Sequence, residues 1–343
     1  MVTYTLKVIE VRTETEDTIT LCFKQPALRK IKYLAGQYLT LIFRINGRRY
    51  IRPYSFSSAP LVDTGLEVTI KRVPNGIVSN HIHDTITIGD SIEVMQAMGD
   101  FVCETPRAQV FLWGVGSGIT PLISISKQIL ATSHKTQVYL IYGNRNHEST
   151  IFLDQIENLQ KVYPEKFVVK HFHTKMKINQ NNLGLIEGRI DQTKALNILQ
   201  ELGHLEDASH YICGPTGLKE SVKFALKTLD VMPNQIFIED FVLIKDPKDF
   251  EHVKTQNVKL KFEDQDYNLE VIKGKSILES ALDAGIELPY SCQTGNCSTC
   301  KATIITGGSK MIGLSKERDD LLEAEYLLCC THPLTENVYL EVN

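Results

Sequence analysis

Over the first hundred residues, apolar and polar positions alternate in short runs: YTLKVIEV, TITLCF, YLTLIFRI, LEVTIKRV and DSIEVMQ. Runs of this kind, punctuated by turn signals such as Asn46-Gly47 and Asn75-Gly76, predict β-strands, and their spacing predicts an all-β barrel. From Pro106 to Phe241 the rhythm changes. VFLWGVG, QVYLIYGN, FVVKHFH, HYICGP and IFIEDF read as buried strands, and several of the segments between them have helical periodicity. Strand–helix alternation predicts a parallel sheet with crossover helices. LIKDPKDFEHVKTQN is polar, contains a proline and reads as a linker. Beyond it come two strands (VKLKFED, YNLEVI), a helix (SILESALDAG), a loop reading CQTGNCSTC and more strand-like sequence. The pattern therefore predicts a multidomain chain: a β-barrel over 1–104, an α/β parallel-sheet domain over 105–242, a linker over 243–256 and an α+β module over 257–343.

Composition narrows the classes. With 43% hydrophobic and 23% charged residues over 343 positions, the balance is that of globular domains. The net charge of −4 gives no sign of a nucleic-acid binder. From Asn257 onward, 14 acidic face 8 basic side chains, a net of −6, which leaves +2 for the rest; this fits a separate acidic module. MVTYTLKVIEV reads as an opening strand rather than an export leader, and no uncharged apolar run reaches the length of a membrane span. Eight cysteines are too sparse for a disulfide scaffold, so they read as reduced thiols or metal ligands in a cytoplasmic setting.

Gly114-Val115-Gly116-Ser117-Gly118-Ile119-Thr120-Pro121 follows a buried strand and opens a helix. Small residues there let the backbone approach a pyrophosphate, which the helix N-terminus would receive. The run departs from GxGxxG, and no acidic residue ends the second strand. Cys213-Gly214-Pro215 also leads from a strand into a helix, and Glu239 and Phe241 end the last strand, so all would share the ligand-binding edge of an open sheet. In the first domain, Arg52-Pro53-Tyr54-Ser55 offers a bidentate phosphate ligand, a flat aromatic face and a hydroxyl. Further on, the run from Lys71 to Asn80 holds Gly76-Ile77-Val78-Ser79 at the start of a helix-like segment, again suited to phosphate. An exposed strand with charged edge residues is the plainer account of each piece alone.

The loop at residues 292–300 places Cys292, Cys297 and Cys300 in the order C-x4-C-x2-C. Zinc favours paired CxxC knuckles, and the second knuckle is missing; only Cys329-Cys330 remains. The spacing is that of plant-type [2Fe–2S] proteins. A strand-like run, Tyr326-Leu327-Leu328, leads into the pair; in a strand neighbouring side chains point to opposite faces, so only one of the two thiols is expected at the loop.

Taken in order, RPYS, GIVS, GVGSGITP, CGP and EDF resemble the ferredoxin–NADP⁺ reductase superfamily, and CQTGNCSTC with LLCCTHP resembles a plant-type ferredoxin of β-grasp fold. The domain order, with IYGNRN and EGRID, is similar to the reductase components of multicomponent oxygenases, especially the phenylacetyl-CoA oxygenase reductase type. The resemblance implies that Arg52 binds flavin phosphate, Tyr54 packs on the isoalloxazine and Ser55 sits near its N5. Pro53, Lys71, Gly76, Ile77, Val78 and Ser79 would complete the flavin site. Gly116, Ser117, Gly118, Thr120, Pro121, Gly214, Pro215 and Phe241 would line the nucleotide site, with Ser55, Cys213 and Glu239 near the hydride-transfer locus. Trp113 departs from the small residue usual before that loop and bears on the loop's width. The same resemblance puts 29 residues between the third and fourth cluster ligands, which implies Cys330, with Cys329 a buried neighbour.

The implied activity is that of an NAD(P)H-dependent oxidoreductase passing electrons through FAD and a [2Fe–2S] cluster to a separate oxygenase, hydroxylase or other redox protein. GIVSNH favours FAD over the FMN of the phthalate-dioxygenase-reductase type. A zinc-stapled interaction module on a nucleotide-sensing domain is the reading from another class. Arg145, after the second strand, and Lys175 and Lys177, after the third, are candidate ligands for a 2′-phosphate, so NADPH is expected over NADH.

Overall fold

In a computed structural model, residues 2–26, 30–175, 185–202 and 205–342 are described. Contacts divide the chain into two units, Met1–Leu41 with Tyr54–Glu239 and Ile42–Pro53 with Asp240–Asn343.

The alternating N-terminal runs become β1 (Thr3–Thr15), β2 (Thr18–Phe23), β3 (Tyr38–Ile45), β4 (Arg48–Ser55), β5 (Leu66–Lys71) and β6 (Ser91–Met95), with α1 (Ile77–Thr85) before the last. They form one six-stranded sheet in the order β4-β3-β6-β1-β2-β5. Leu6 and Val8 of β1 are buried at alternate positions, as a period-two strand requires, while β2 is buried at nearly every position. This is the barrel-like domain expected.

The middle of the chain folds as β7 (Gln109–Val115), α2 (Ile119–Thr132), β8 (Gln137–Asn144), α3 (Leu153–Val162), β9 (Phe167–His173), β10 (Leu185–Glu187), α4 (Gln192–Leu202), β11 (Ala208–Cys213), α5 (Thr216–Thr228) and β12 (Ile236–Glu239). The sheet order is β10-β9-β8-β7-β11-β12, parallel throughout. Its central strand is buried on both faces, which is why it reads as a continuous apolar run. Val110 and Leu112 of β7 face the core that contains α2, while Phe111 and Trp113 face the core that contains α4 and α5. Trp113 therefore stacks beside Phe111 in the opposite layer and does not narrow the glycine loop. The short edge strand β10 was not expected; three residues of LIEGRID carry too little pattern to reveal it.

The second unit contains β13 (Gln256–Phe262), β14 (Gln265–Val271), α6 (Ile277–Asp283), β15 (Lys301–Thr306), β16 (Ser309–Met311), β17 (Glu325–Leu327), β18 (Thr331–Pro333) and β19 (Val338–Val342). A five-stranded sheet runs β14-β13-β19-β15-β17, and β16 pairs β18. A parallel β13–β19 pair inside an otherwise antiparallel sheet, with α6 opened by a Ser276–Glu279 capping box, is the α+β arrangement expected. Within this unit the main chain of Ile51 is held at both ends: its N–H donates to Tyr290 Oη at 3.1 Å, and its carbonyl accepts from Gln293 Nε2 at 3.2 Å. Arg44–Glu287 and Arg48–Asp283 ion pairs lie nearby in the same unit. The linker is less free than its polarity suggests, because Phe250 and Val253 are buried against Ile312. Among the described residues, no helix is long and apolar enough to cross a membrane.

Candidate functional site

Residues 52–55 close β4. Arg52 Nη1 donates to the Ile51 carbonyl at 2.8 Å, and Ser55 is buried. Lys71, at the end of β5, gives its ammonium to Asp17 at 3.0 Å. The Gly76 turn is tighter. A Cβ there would stand 2.6 Å from Ser79 Oγ and 3.1 Å from Val73, so a side chain would displace the Ser79 hydroxyl. Ser79 Oγ accepts from Val73 N at 3.1 Å, and Asn80 Nδ2 donates to the carbonyls of Val73 (3.1 Å) and Gly76 (2.6 Å). The turn is thus fixed from within, while α1 has no side-chain N-cap. Its first N–H groups, from Ile77 to Ser79, are oriented donors suited to an anion. Ile77 itself is exposed, so its contribution is through the backbone; Val78 and Ser79 are buried.

At the C-terminal edge of the parallel sheet, Gly114, Cys213 and Glu239 stand side by side in register on β7, β11 and β12. The glycine loop between β7 and α2 serves two needs. Gly116 has φ +55° with open space above it, the left-handed region where a side chain is strained. Gly118 has no such angle, but a Cβ there would lie 2.1 Å from the Cys213 carbonyl oxygen. The loop therefore crosses hard against the Cys213-Gly214 turn. Thr120 Oγ1 donates to the Ser117 carbonyl at 2.6 Å, and Pro121 sits in the first turn of α2, where its missing N–H costs nothing. Pro215 precedes α5 as its N-cap, without a side-chain bond. Cys213 is fully buried; burial, with the nearby Glu239 carboxylate, pushes its thiol far up, so it is a neutral lining group rather than a nucleophile. Phe241, by contrast, is exposed.

Arg145 and Lys175 meet at the ends of β8 and β9, where Lys175 N donates to the Arg145 carbonyl at 2.7 Å. Both side chains are exposed. Lys177 lies outside the described residues. One cavity lined by Leu199, Leu229 and Met232 opens at the opposite, N-terminal edge of the sheet and shares no residue with these sites.

The cysteine loop supplies the third centre. Cys292 Sγ accepts backbone N–H bonds from Thr294 at 3.4 Å and Cys297 at 3.3 Å. Thiol contacts join Cys297 to Cys292, Cys292 to Cys329, and Cys329 to Cys300 and Cys330. Donation from the Cys297 and Cys329 thiols holds Cys292 well below the ordinary thiol range. Among the described residues, no three ligating side chains surround one point as a mononuclear site would. The thiols instead form a chain of neighbours, and backbone donors already point at sulfur. Gly295 has φ +76°, and a Cβ there would meet Leu314 Cδ2 at 2.2 Å and Cys330 Sγ at 3.7 Å. Arg318 clamps the loop from outside, donating to the Gly295 carbonyl and to Ser298 Oγ at 2.8 Å.

One expectation about the adjacent pair is corrected. β17 ends at Leu327, and residues 328–330 form a turn, with Cys330 N donating to the Leu327 carbonyl at 3.1 Å. Strand alternation does not apply inside a turn, so the two thiols are not sent to opposite faces. Cys329 touches Cys292 and Cys300, and Cys330, fully buried, lies under Gly295 with its thiol 3.3 Å from the Leu327 carbonyl. Both therefore reach the loop. The sequence carries no signal for that turn beyond the adjacency of the two cysteines. Arg318 was also missed, because a lone arginine in an acidic stretch reads as surface.

Three family models match the chain in succession: an oxidoreductase FAD-binding domain over residues 5–103, an oxidoreductase NAD-binding domain over 112–223 and a 2Fe-2S iron-sulfur cluster binding domain over 260–335. The chain is 31% identical to the ferredoxin reductase component of a 3-ketosteroid-9-alpha-monooxygenase from Rhodococcus rhodochrous, over 98% of this chain and 96% of that protein. It is 30% identical to a component of the 1,2-phenylacetyl-CoA epoxidase of Escherichia coli, over 98% and 97%. Among solved structures it resembles phthalate dioxygenase reductase, with a TM-score of 0.69 at 22% identity, covering 99% of this chain and 98% of the other.

Proposed function

The chain belongs to the family of flavin and iron–sulfur reductase components of oxygenases, and from that premise we propose how its own residues do the work. The activity is that of an NAD(P)H-dependent oxidoreductase that passes electrons through FAD and a [2Fe–2S] cluster to a separate oxygenase. When bound, FAD takes up a two-electron hydride and returns electrons singly, and the cluster carries one electron at a time.

The protein's part is to hold and orient. Arg52 offers its guanidinium to a flavin phosphate. The donors from Ile77 to Ser79 receive the pyrophosphate, a role supported by the fixed turn and the start of α1. Tyr54 packs on the ring and Ser55, buried at the end of β4, offers a hydroxyl near it. Lys71 acts at one remove, anchored by Asp17. Gly116, Ser117, Gly118, Thr120 and Pro121 form the nucleotide turn, with Gly214 and Pro215 opposite. Cys213 and Glu239, in register beside Gly114, line the place of hydride transfer. Phe241, exposed past β12, offers the nucleotide a further aromatic face. Arg145 and Lys175 receive a 2′-phosphate, which makes NADPH the preferred donor; their adjoining main chains support this. Cys292, Cys297, Cys300 and Cys330 hold the cluster. The burial of Cys330 under Gly295 supports its place in that set; Cys329, assigned as a neighbour, touches Cys292, Cys300 and Cys330. The cysteines outside the cluster set, Cys22, Cys103, Cys213 and Cys329, are free thiols, which supports a location in the reducing cytoplasm.

The observation that carries this reading is the gathering of Cys292, Cys297, Cys300, Cys329 and Cys330 at one loop, in a chain that also holds a flavin fold and a nucleotide fold. Anaerobic titration with NADPH tests it. Flavin absorbance should bleach and a reduced [2Fe–2S] EPR signal should grow. Protein that bleaches without any EPR signal, at full iron content, would refute the route to the cluster.

A further inference from the structure

Helix α2 begins at the nucleotide turn, but two of its buried polar residues face elsewhere. Ser124 and Lys127 lie three positions apart and so share a face. Ser124 is fully buried and Lys127 is 5% exposed. Ser124 Oγ donates to the Ser58 carbonyl at 2.6 Å. Lys127 Nζ donates to the Ser57 carbonyl at 3.0 Å and to Asp63 Oδ2 at 3.0 Å. Asp63 Oδ2 also accepts from Ala59 N at 2.7 Å. Four polar contacts thus tie one helix, directly or through Asp63, to residues 57–59, which begin two residues after Ser55. That segment is itself fixed: Ser57 N donates to the Glu67 carbonyl at 2.9 Å, and Thr69 Oγ1 donates to Ser57 Oγ at 3.0 Å.

A buried ammonium is costly unless it is paired, and an apolar side chain of similar length would fill the same space without that cost. Apolar packing, however, lets a helix slide, whereas directed bonds to two successive carbonyls fix its register. Ser124 lies six residues beyond Gly118, about 9 Å along the helix at ~1.5 Å per residue. A shift at the Ser57–Ser58 contacts is therefore carried rigidly to the nucleotide turn. Hydride transfer demands donor and acceptor within about 3–3.5 Å, and a displacement of ~1 Å costs about a hundredfold in rate.

We propose that Lys127 and Ser124 are positioning residues: they set the distance between the nucleotide turn and the flavin-bearing strand, and so the rate of hydride transfer. This rests on the assignments made above for Ser55 and the glycine loop. In the step concerned, the reduced nicotinamide is oxidised as its hydride, one proton with two electrons, passes to the flavin, which is reduced.

The test uses the full-length holoenzyme carrying Lys127→Met or Ser124→Ala. Flavin content, nucleotide Kd, the limiting rate of anaerobic flavin reduction and the long-wavelength charge-transfer absorbance are measured for each. Lys127→Met should keep flavin and bind nucleotide within about twofold of wild type, yet reduce flavin about tenfold or more slowly, with a weakened charge-transfer band. Ser124→Ala should show the same pattern, about threefold in rate. A limiting rate and band unchanged in Ser124→Ala, or losses that follow flavin release alone, would overturn the proposal. Should Lys127→Met not fold, Ser124→Ala decides it. Wild-type protein that neither nucleotide reduces would refute the underlying assignments instead, so the two failures are distinct.

Discussion

Gly118 and Cys213 are in main-chain contact: a methyl group on Gly118 would lie 2.1 Å from the Cys213 carbonyl oxygen. The neighbour is backbone at the end of β11, a buried strand inside the sheet, so it cannot rotate away. Gly118→Ala should therefore force the turn from the sheet, costing about 1–3 kcal/mol and raising the nucleotide KM. Gly116→Ala meets no atom within 4 Å and carries only the strain of φ +55°, about 1–2 kcal/mol. Thermal melts and nucleotide KM measured for both would check this. A smaller KM effect for Gly118→Ala than for Gly116→Ala would count against close crossing as the source of the turn's shape.

Donor preference should reside in Arg145 and Lys175. Steady-state turnover with ferricyanide should favour NADPH in kcat/KM. Arg145→Ala should lower kcat/KM for NADPH about tenfold, the loss of one charge-assisted contact of ~1.5 kcal/mol, and leave NADH nearly unchanged. A wild-type preference for NADH would remove the assignment.

Tyr54 and Ser55 are adjacent but should fail differently. Tyr54→Ala removes an aromatic face and should weaken flavin retention. Ser55→Ala removes one hydroxyl from a buried position and should keep flavin while slowing its reduction. The ratio of flavin to protein after gel filtration, beside the anaerobic reduction rate, separates them. Equal flavin loss in both, with normal reduction of what remains, would contradict these roles.

Arg318 holds the cluster loop by donating to Gly295 and Ser298, and it is itself held by Asp320 at 2.7 Å through two nitrogens. Removing it leaves the Gly295 carbonyl without that donor, at a cost of about 1–3 kcal/mol. Arg318→Ala should assemble the cluster but lose iron to a chelator several-fold faster than wild type. Unchanged release kinetics would show the clamp to be incidental.

Much of this was legible in the chain because periodicity and local chemistry agreed. The apolar run from Val110 in β7 announced a central parallel strand, and the small residues after it announced a close backbone approach. What was hidden depended on partners distant in sequence. Lys127 looks like a solvated helix residue until Asp63 and Ser57 are seen beside it. Trp113 looked intrusive until β7 alternation turned it to the other layer. Phe250 and Val253 stand in a polar run whose burial depends on Ile312.

The fourth cluster ligand turns on two adjacent thiols. The resemblance to plant-type ferredoxins, counted from Cys300, implies Cys330, and the turn at 328–330 brings both candidates to the loop rather than one. Cys330 Sγ lies 3.7 Å from where a Cβ would stand on Gly295, inside the loop that carries the other ligands. Its present contact, with the Leu327 carbonyl at 3.3 Å, is a weak S–H bond that a metal-bound thiolate gives up at little cost. On the assignment of Cys330, removing Cys329, which touches Cys292 and Cys300, perturbs those sulfurs without subtracting a ligand. Loss of a ligand thiolate should abolish or badly weaken the cluster, because metal binding and loop folding are coupled. Loss of a neighbour should instead move the reduction potential, which contacts to the sulfurs tune. Cys330→Ser should therefore lose most iron and the reduced-cluster EPR signal, and fail to pass electrons to a one-electron protein acceptor. Cys329→Ser should keep iron and signal, with a displaced midpoint potential. Flavin-dependent ferricyanide reduction should survive in both, which separates a cluster defect from general misfolding. A full signal in Cys330→Ser with loss in Cys329→Ser would reverse the assignment and make the thiol contacts of Cys329 those of the ligand.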